Sequence, residues 1–411
     1  MNRLSNRLFK TLISKTLISI AALLLSGEAV LAADMPGVTA TEIKLGQTMP
    51  YSGPASAYSI VGRAEVAYFN MINDQGGVNG RKIKLISLDD AYSPPKAVEQ
   101  VRKLVEEDEV LAIFSMLGTP PILATAKYLN SRGVPQLFSQ TGSSLPANVK
   151  EYPLTTIYSM PFRTEAWIMG AYILKNKPNA KIGILYQNDE FGKGYLRFFK
   201  QGLGDKASLV TQEVAYDISS PTIDSQIIQL KNSGVDTVIT AATPKFAAQA
   251  IRKIYELDWK PTHLLINAAS SREAVLKPAG FEQAKGVLAV NFELFTDDPA
   301  YADKYKDYFA FMKKWAPNEN PYELAAVNGY ISAQFMVEIL KKCGNDLTRE
   351  NVMKYANDFP EVPHPLLFPG VTYNATATDH TPFHAGQITR FDGDKWILVG
   401  EAIRPTPPTG E

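Results

Sequence analysis

The chain has 411 residues, with 42 Lys and Arg against 42 Asp and Glu, so its formal net charge is zero. Hydrophobic residues make up 45% and charged residues 20%, which is the composition of a folded globular protein, and the length predicts two domains. The charge balance gives no electrostatic reason to expect nucleic acid or an anionic membrane as a partner.

The first 32 residues have the order of segments found in a secretory signal peptide. Four Lys and Arg residues are followed by a short, mostly apolar run at residues 16–25 and then by the small-residue sequence Val30-Leu31-Ala32. A membrane anchor is the weaker alternative, because spanning a bilayer takes about 18 to 20 apolar residues. We expect cleavage after Ala32, a periplasmic location and a mature chain with 38 basic and 41 acidic residues.

Beyond residue 40, segments with the apolar pattern of strands alternate with segments of helical periodicity. In the first series Ser93 is expected to cap a helix that has Pro94 at its first position. This series predicts strands at 43–49, 82–88, 110–117 and 135–139, and helices at 60–73, 94–107 and 121–131. A second series predicts strands at 181–186, 210–216, 237–242 and 263–267, and helices at 164–175, from Gly192, at 222–232 and at 245–257.

The last third of the chain changes character. Longer helices are predicted at 300–315, 322–342 and 349–357, followed by a hairpin of strands 386–391 and 396–401. Two alternating series in succession predict an α/β fold of two doubly wound lobes, each with a parallel sheet covered on both faces. The Pro-rich residues 404–411 are expected to be a disordered tail.

The sequence contains few residues in the spacing of a catalytic or metal-binding motif. His380 and His384 have the spacing of a helical zinc pair, but Pro382 lies between them and no Glu completes the motif. The single cysteine, Cys343, cannot form an intramolecular disulfide, and it lies in a lysine-rich helix end where we expect no reactive thiol. From these motifs we therefore expect neither an enzyme nor a bound metal or cofactor.

Several short motifs occur in order along the chain, at residues 43–46, 52–54, 72–80, 89–98 and 186–195. Together they resemble the leucine/isoleucine/valine-binding branch of the type I periplasmic solute-binding proteins, which are the capture subunits of ABC importers. The resemblance covers nearly all of residues 41–403. It implies two Rossmann-like lobes joined by three hinge strands, with a ligand bound in the cleft between them.

The resemblance implies a first lobe of residues 41–160 and 290–375 and a second of residues 161–289 and 376–403. It also implies a monomer that closes about its hinge and delivers the ligand to a permease and ATPase complex in the inner membrane. Ligands of open α/β sheets lie outside the carboxyl ends of the strands, which supports a site in this cleft. A ligand-sensing partner of a signalling receptor is the alternative with the same fold.

The resemblance also places the ligand contacts of the first lobe. Gly118 and Thr119 would offer a backbone N–H and a hydroxyl to a carboxylate, and the start of the following helix favours an anion. Thr141 and Ser143 match the second ligand loop of the family. Tyr58 would cover the ligand from the same side, unless it is only a surface aromatic residue.

The second lobe would contribute Phe191, Thr243 and the position of Ala268. Phe191 can stack on a ligand without hydrogen-bonding to it, or it belongs to the core beneath its helix. Amino-acid binders of the family carry an acidic residue at or beside the position of Ala268, where this chain has none. Because a buried ammonium without a counter-charge is costly, we expect an aromatic or short aliphatic carboxylate. A branched-chain amino acid or an amide is the alternative, with Glu273 supplying the missing charge.

Overall fold

The computed structural model describes residues 35–405. The predicted signal peptide, and the predicted tail from residue 406 onward, lie outside the described residues. Within the described range, no helix combines the length and the apolar character needed to cross a membrane.

A five-stranded parallel sheet forms the first lobe, in the strand order β2-β1-β3-β4-β5. Its order reverses between β1 and β3, the crevice where open α/β sheets bind ligands. The strands are β1 (Glu42–Met49), β2 (Lys82–Asp89), β3 (Ala112–Phe114), β4 (Gln136–Ser139) and β5 (Thr155–Ile157). The helices between them are α1 (Ile60–Asp74), α2 (Pro94–Glu106) and α3 (Thr119–Ser131).

The second lobe repeats this plan in a seven-stranded sheet of order β14-β13-β10-β9-β8-β6-β7. The strands from β6 to β10 are parallel and reverse order between β6 and β8, whereas β13 and β14 are antiparallel additions at one edge. The strands are β6 (Ile182–Gln187), β7 (Val210–Tyr216), β8 (Thr237–Ala241), β9 (Thr262–Leu265), β10 (Leu288–Asn291), β13 (Gln387–Phe391) and β14 (Trp396–Leu398). The helices are α4 (Phe162–Asn176), α5 (Glu190–Leu203), α6 (Asp224–Asn232) and α7 (Pro244–Glu256).

Three further helices and a small hairpin complete the described chain. Helix α9 lies close to α1 because Gly329 has no side chain, and a Cβ there would lie 2.5 Å from the Val61 carbonyl oxygen. These elements are α8 (Ala302–Trp315), α9 (Leu324–Cys343), α10 (Arg349–Ala356), β11 (Asp358–Pro363) and β12 (Thr372–Thr376). Short helical turns lie at Ser56–Ser59, Gly204–Leu209, Asn267–Ala269, Arg272–Leu276, Lys277–Ala279, Phe281–Ala284 and Pro299–Tyr301.

The predicted fold class is confirmed, because both alternating series form parallel sheets covered by helices. The chain passes between the two sheets three times: from β5 to α4, after β10, and between β12 and β13. Ser93 does occupy the N-cap position of α2, but its hydroxyl makes no capping hydrogen bond. Cys343 ends α9 as a buried residue, and burial raises the pKa of its thiol to about 12.

Candidate functional site

The loops that follow the carboxyl ends of both sheets enclose one cavity, with a volume of about 110 Å³. The loops after β1, β3 and β4 supply its first-lobe wall, and those after β6, β8 and β9 supply the wall opposite. An engineered apolar cavity of about 150 Å³ holds one benzene molecule, so this cavity has the size of a small solute. Predicted site residues that line it are Tyr58, Gly118, Thr119, Thr141, Phe191, Thr243 and Ala268.

A pair of buried hydroxyls forms the polar centre of the first-lobe wall. The Oγ1 atoms of Thr119 and Thr141 lie 2.7 Å apart, and Thr141 Oγ1 also accepts the N–H of Ser143 at 3.0 Å. Two hydroxyls carry two protons, and only one lies between the two oxygens. The other proton is therefore available to a hydrogen-bond acceptor in the cavity.

The start of helix α3 differs from its prediction. The helix begins at Thr119 rather than at Pro121, and Pro120 and Pro121 have no N–H to donate. The prediction that Gly118 offers its N–H to a ligand is wrong in this structure, because that N–H donates to the Gln140 carbonyl at 3.2 Å. The threonine hydroxyls therefore carry most of the hydrogen-bonding capacity at this turn.

Ser143 is the predicted site residue that does not line the cavity. It is fully buried behind Thr141, and its hydroxyl accepts the Leu145 N–H at 3.4 Å. Its backbone N–H positions the Thr141 hydroxyl, so Ser143 supports the site from behind and its own hydroxyl does not face the cavity.

Residues of the two lobes meet directly across the cleft. The Tyr58 hydroxyl donates to the Ala268 carbonyl oxygen at 2.8 Å, and the Ser271 hydroxyl donates to Glu323 Oε2 at 2.9 Å. Both pairs join the first lobe to the second at the rim of the cavity. The two lobes are therefore in contact across the cleft, and Tyr58 lines the cavity from the side of the first lobe.

The second-lobe wall combines an aromatic surface with a hydroxyl. Phe191 lies in the first turn of α5 and packs on Phe162, with ring centroids 5.5 Å apart. Thr243 precedes α7, and its N–H donates to the Tyr216 hydroxyl at 3.1 Å. Both side chains face a largely apolar cavity, whose further apolar residues include Val61, Leu117, Met160 and Phe292.

Two carboxyl groups in the cavity wall were missed from the sequence. Glu165 lies in the first turn of α4, is almost fully buried and accepts the Asn267 N–H at 2.5 Å. Burial raises the pKa of Glu165 to about 8 and also raises that of Glu323. Among the described residues that line the cavity, none is Lys, Arg or His.

These carboxyls correct part of the argument from Ala268. The cavity wall does contain acidic groups, although none of them belongs to the loop that follows β9. Glu165 Oε1 accepts the N–H of Asn267, which directly precedes Ala268. Glu273 is not among the lining residues, because its carboxylate is bound by Lys277 and Asn320. In the sequence, Glu165 follows Arg163 and Thr164 in the first turn of a helix, where an acidic residue is common, so nothing in the local pattern marks it as a cavity residue.

The two histidines with metal-like spacing have other partners. His380 Nδ1 lies 2.7 Å from the Thr155 carbonyl oxygen, and His384 Nε2 lies 3.2 Å from Asp379 Oδ2. Within residues 35–405, no group of three or more His, Cys, Asp or Glu side chains is placed to hold a metal ion.

A family model described as periplasmic binding protein matches residues 42–395. Leu/Ile/Val-binding protein homolog 3 of Brucella melitensis is 24% identical over 86% of this chain and 91% of its own length. A fatty acid ABC transporter substrate-binding protein from Thermomonospora curvata is 24% identical, with a TM-score of 0.74 over 91% of this chain and 95% of that chain. A branched-chain amino acid ABC transporter protein from Thermus thermophilus with bound valine is 17% identical, with a TM-score of 0.76 over 89% and 97%.

Proposed function

The chain belongs to the periplasmic binding protein family, and from that premise we propose that it captures a small carboxylate for an ABC transporter. The family is one of binding proteins, and the fold is that of transporter substrate-binding proteins rather than of enzymes. The two lobes close about their hinge on an aromatic or short aliphatic acid. The closed monomer, exported to the periplasm, then presents the ligand to a membrane permease and its ATPase.

One observation carries the choice of a carboxylate: the hydroxyl pair of Thr119 and Thr141 beneath a closed, largely apolar cavity. A carboxylate only accepts hydrogen bonds, so it suits a wall that has a hydroxyl proton to donate. Glu165 does not oppose this assignment, because its pKa of about 8 keeps the carboxyl neutral at physiological pH.

A branched-chain amino acid is the second candidate ligand. The two cavity carboxyls favour it, because Glu165 or Glu323 can pair with an ammonium group. Relatives named as Leu/Ile/Val-binding proteins support the same candidate. The cavity volume of about 110 Å³ argues against a long acyl chain, although a fold neighbour is named as a fatty acid binder.

Removing either hydroxyl of the pair is expected to weaken carboxylate binding. Thr119→Ala and Thr141→Ala should each cost about 1–3 kcal/mol of binding free energy, the range for a charge-assisted hydrogen bond. Isothermal titration calorimetry measures the change. Ser143→Ala is the matched control, since it deletes a hydroxyl that does not line the cavity. Equal affinities for all four proteins would place the carboxylate elsewhere.

A thermal-shift screen of the mature protein tests the proposed ligand class. The protein is first unfolded and refolded, so that no co-purified ligand occupies the cleft. Benzoate, cinnamate and short aliphatic acids are then compared with leucine, valine and an amide. We expect the melting temperature to rise with carboxylates, because a ligand that binds only the folded protein stabilises it. A rise with leucine or valine alone would favour the second candidate.

A further inference from the structure

The turn between β2 and α2 has an unusual backbone. Ala91 and Tyr92 have φ angles of 51° and 61°, so two successive residues other than glycine adopt the left-handed conformation. Two carboxylates hold the turn: Asp89 Oδ1 accepts the Ala91 N–H at 3.0 Å, and Asp90 Oδ1 accepts the Tyr92 N–H at 2.8 Å. Strained backbone of this kind persists where the surrounding structure enforces it, and it concentrates at ligand clamps.

The strained turn places the Tyr92 side chain in the wall of the cavity. Its ring lies against Gly118, where an added Cβ would come within 2.5 Å of Tyr92 Cε2. Gly118 also has a φ of 103°, which other residues rarely adopt. The Tyr92 ring therefore fills the space directly beside the turn that carries Thr119.

The apolar cluster that contains Tyr92 also contacts the second lobe. Tyr92 belongs to an apolar cluster with Val61 and Leu117, against which Ile218 of the second lobe packs. Tyr92 thus lies beside the turn that carries Thr119 and in the cavity wall, within a cluster that packs against the opposite lobe.

We propose that Tyr92 is a specificity-determining residue, whose ring limits the bulk that a ligand can carry on the carbon next to its carboxylate. This inference rests on the proposed function, because it takes the carboxylate to lie at Thr119 and Thr141. The ligand class that follows is a carboxylic acid without a branch beside the carboxylate.

Titration calorimetry with matched pairs of acids tests this role. The probes are 3-phenylpropanoate against 2-methyl-3-phenylpropanoate, and pentanoate against 2-methylpentanoate. In the unmodified protein we expect the unbranched acid to bind about tenfold more tightly or better, as one misplaced methyl group can cause. Tyr92→Ala should remove this preference. Tyr92→Phe retains the aromatic ring and should keep the preference.

Tyr128→Ala is the control, since Tyr128 lies on α3 of the same lobe but outside the cavity wall. This variant should bind the unbranched acid more tightly than the branched one, as the unmodified protein does. Circular dichroism establishes that each variant is folded, and Tyr92→Leu replaces Tyr92→Ala if the latter is not. A preference that survives the loss of the ring overturns the role of Tyr92 alone. If the unmodified protein binds none of the four acids, the proposed function fails, and this inference fails with it.

Discussion

Glu293→Gln is expected to remove a contribution to folding stability that is lost as the pH rises from 5 to 8. The Glu293 side chain is fully buried just after β10, where the chain leaves the second sheet and pairs with Leu367. Neither carboxyl oxygen has a hydrogen-bond partner among the described residues. Burial raises the pKa of this carboxyl well above its ordinary value.

The direction of the effect follows from where the proton resides. Glu293 keeps its proton in the folded protein, whereas the unfolded chain loses it above pH 4.5. The stabilisation is therefore complete below that pH and is lost, at about 1.4 kcal/mol per pH unit, until the pH reaches the raised pKa of the folded state. Glutamine has no such proton to lose, so the slope of the variant should be smaller by this amount.

Urea unfolding of the ligand-free protein at pH 5, 6, 7 and 8 measures the free energy of unfolding that this prediction concerns. The exposed Glu282→Gln is the matched control, and its curve should run parallel to that of the unmodified protein. Buried Glu65 and Glu165, whose pKa values are raised to about 8, contribute slopes of the same sign in every variant. Burial lowers the pKa values of His263 and His364 to about 4, so these residues contribute slopes of the opposite sign below about pH 6.5, equally in every variant. If the free energy of unfolding of Glu293→Gln changes with pH in parallel with that of the unmodified protein, Glu293 is ionised in the folded protein and the prediction is wrong.

Glu165→Gln is expected to reduce the loss of carboxylate affinity above pH 8. Below pH 8 the Glu165 carboxyl is neutral, and above it the carboxylate shares the cavity with a second negative charge on the ligand. The affinity of the unmodified protein for a carboxylate should therefore fall by up to about tenfold per pH unit above pH 8. The glutamine amide keeps an oxygen for the Asn267 N–H and acquires no charge.

Titrations at pH 7, 8 and 9 compare the unmodified protein, Glu165→Gln and the control Glu282→Gln. The variant should match the unmodified protein at pH 7 and exceed it at pH 9. An amino acid ligand predicts the reverse pattern, because ammonium binding ionises Glu165. Loss of that pair would cost the variant about 3–5 kcal/mol at pH 7. Such a loss with leucine would establish the second candidate ligand.

Much of the fold could be predicted because buried parallel strands appear in a sequence as short apolar runs between helical patterns. Strand β10, at Leu288–Asn291, is such a short apolar run and was nevertheless missed. Two other strands that were missed lack the pattern. Strand β5, at Thr155–Ile157, has three residues, two of them threonines. Strand β11 contains Pro360 and Pro363, which argue against a strand and are tolerated here because it pairs with β12 alone.

Three predicted site residues that line the cavity follow the ends of sheet strands: Thr119, Thr141 and Thr243. The carboxyls of Glu165 and Glu323 come instead from a helix after the first hinge crossing and from the N-cap of α9. No local pattern shows that such distant segments meet. The Gly118 N–H was misassigned for a related reason, because its partner, the Gln140 carbonyl, belongs to the next strand's loop.

Small-angle X-ray scattering of the refolded protein, with and without a carboxylate that raises its melting temperature, tests the central claim most directly. Closure on the ligand predicts a smaller radius of gyration for the saturated protein. The double variant Thr119→Ala/Thr141→Ala, at the same ligand concentration, should keep the larger value. Identical scattering for the free and saturated protein would contradict capture by closure of the two lobes.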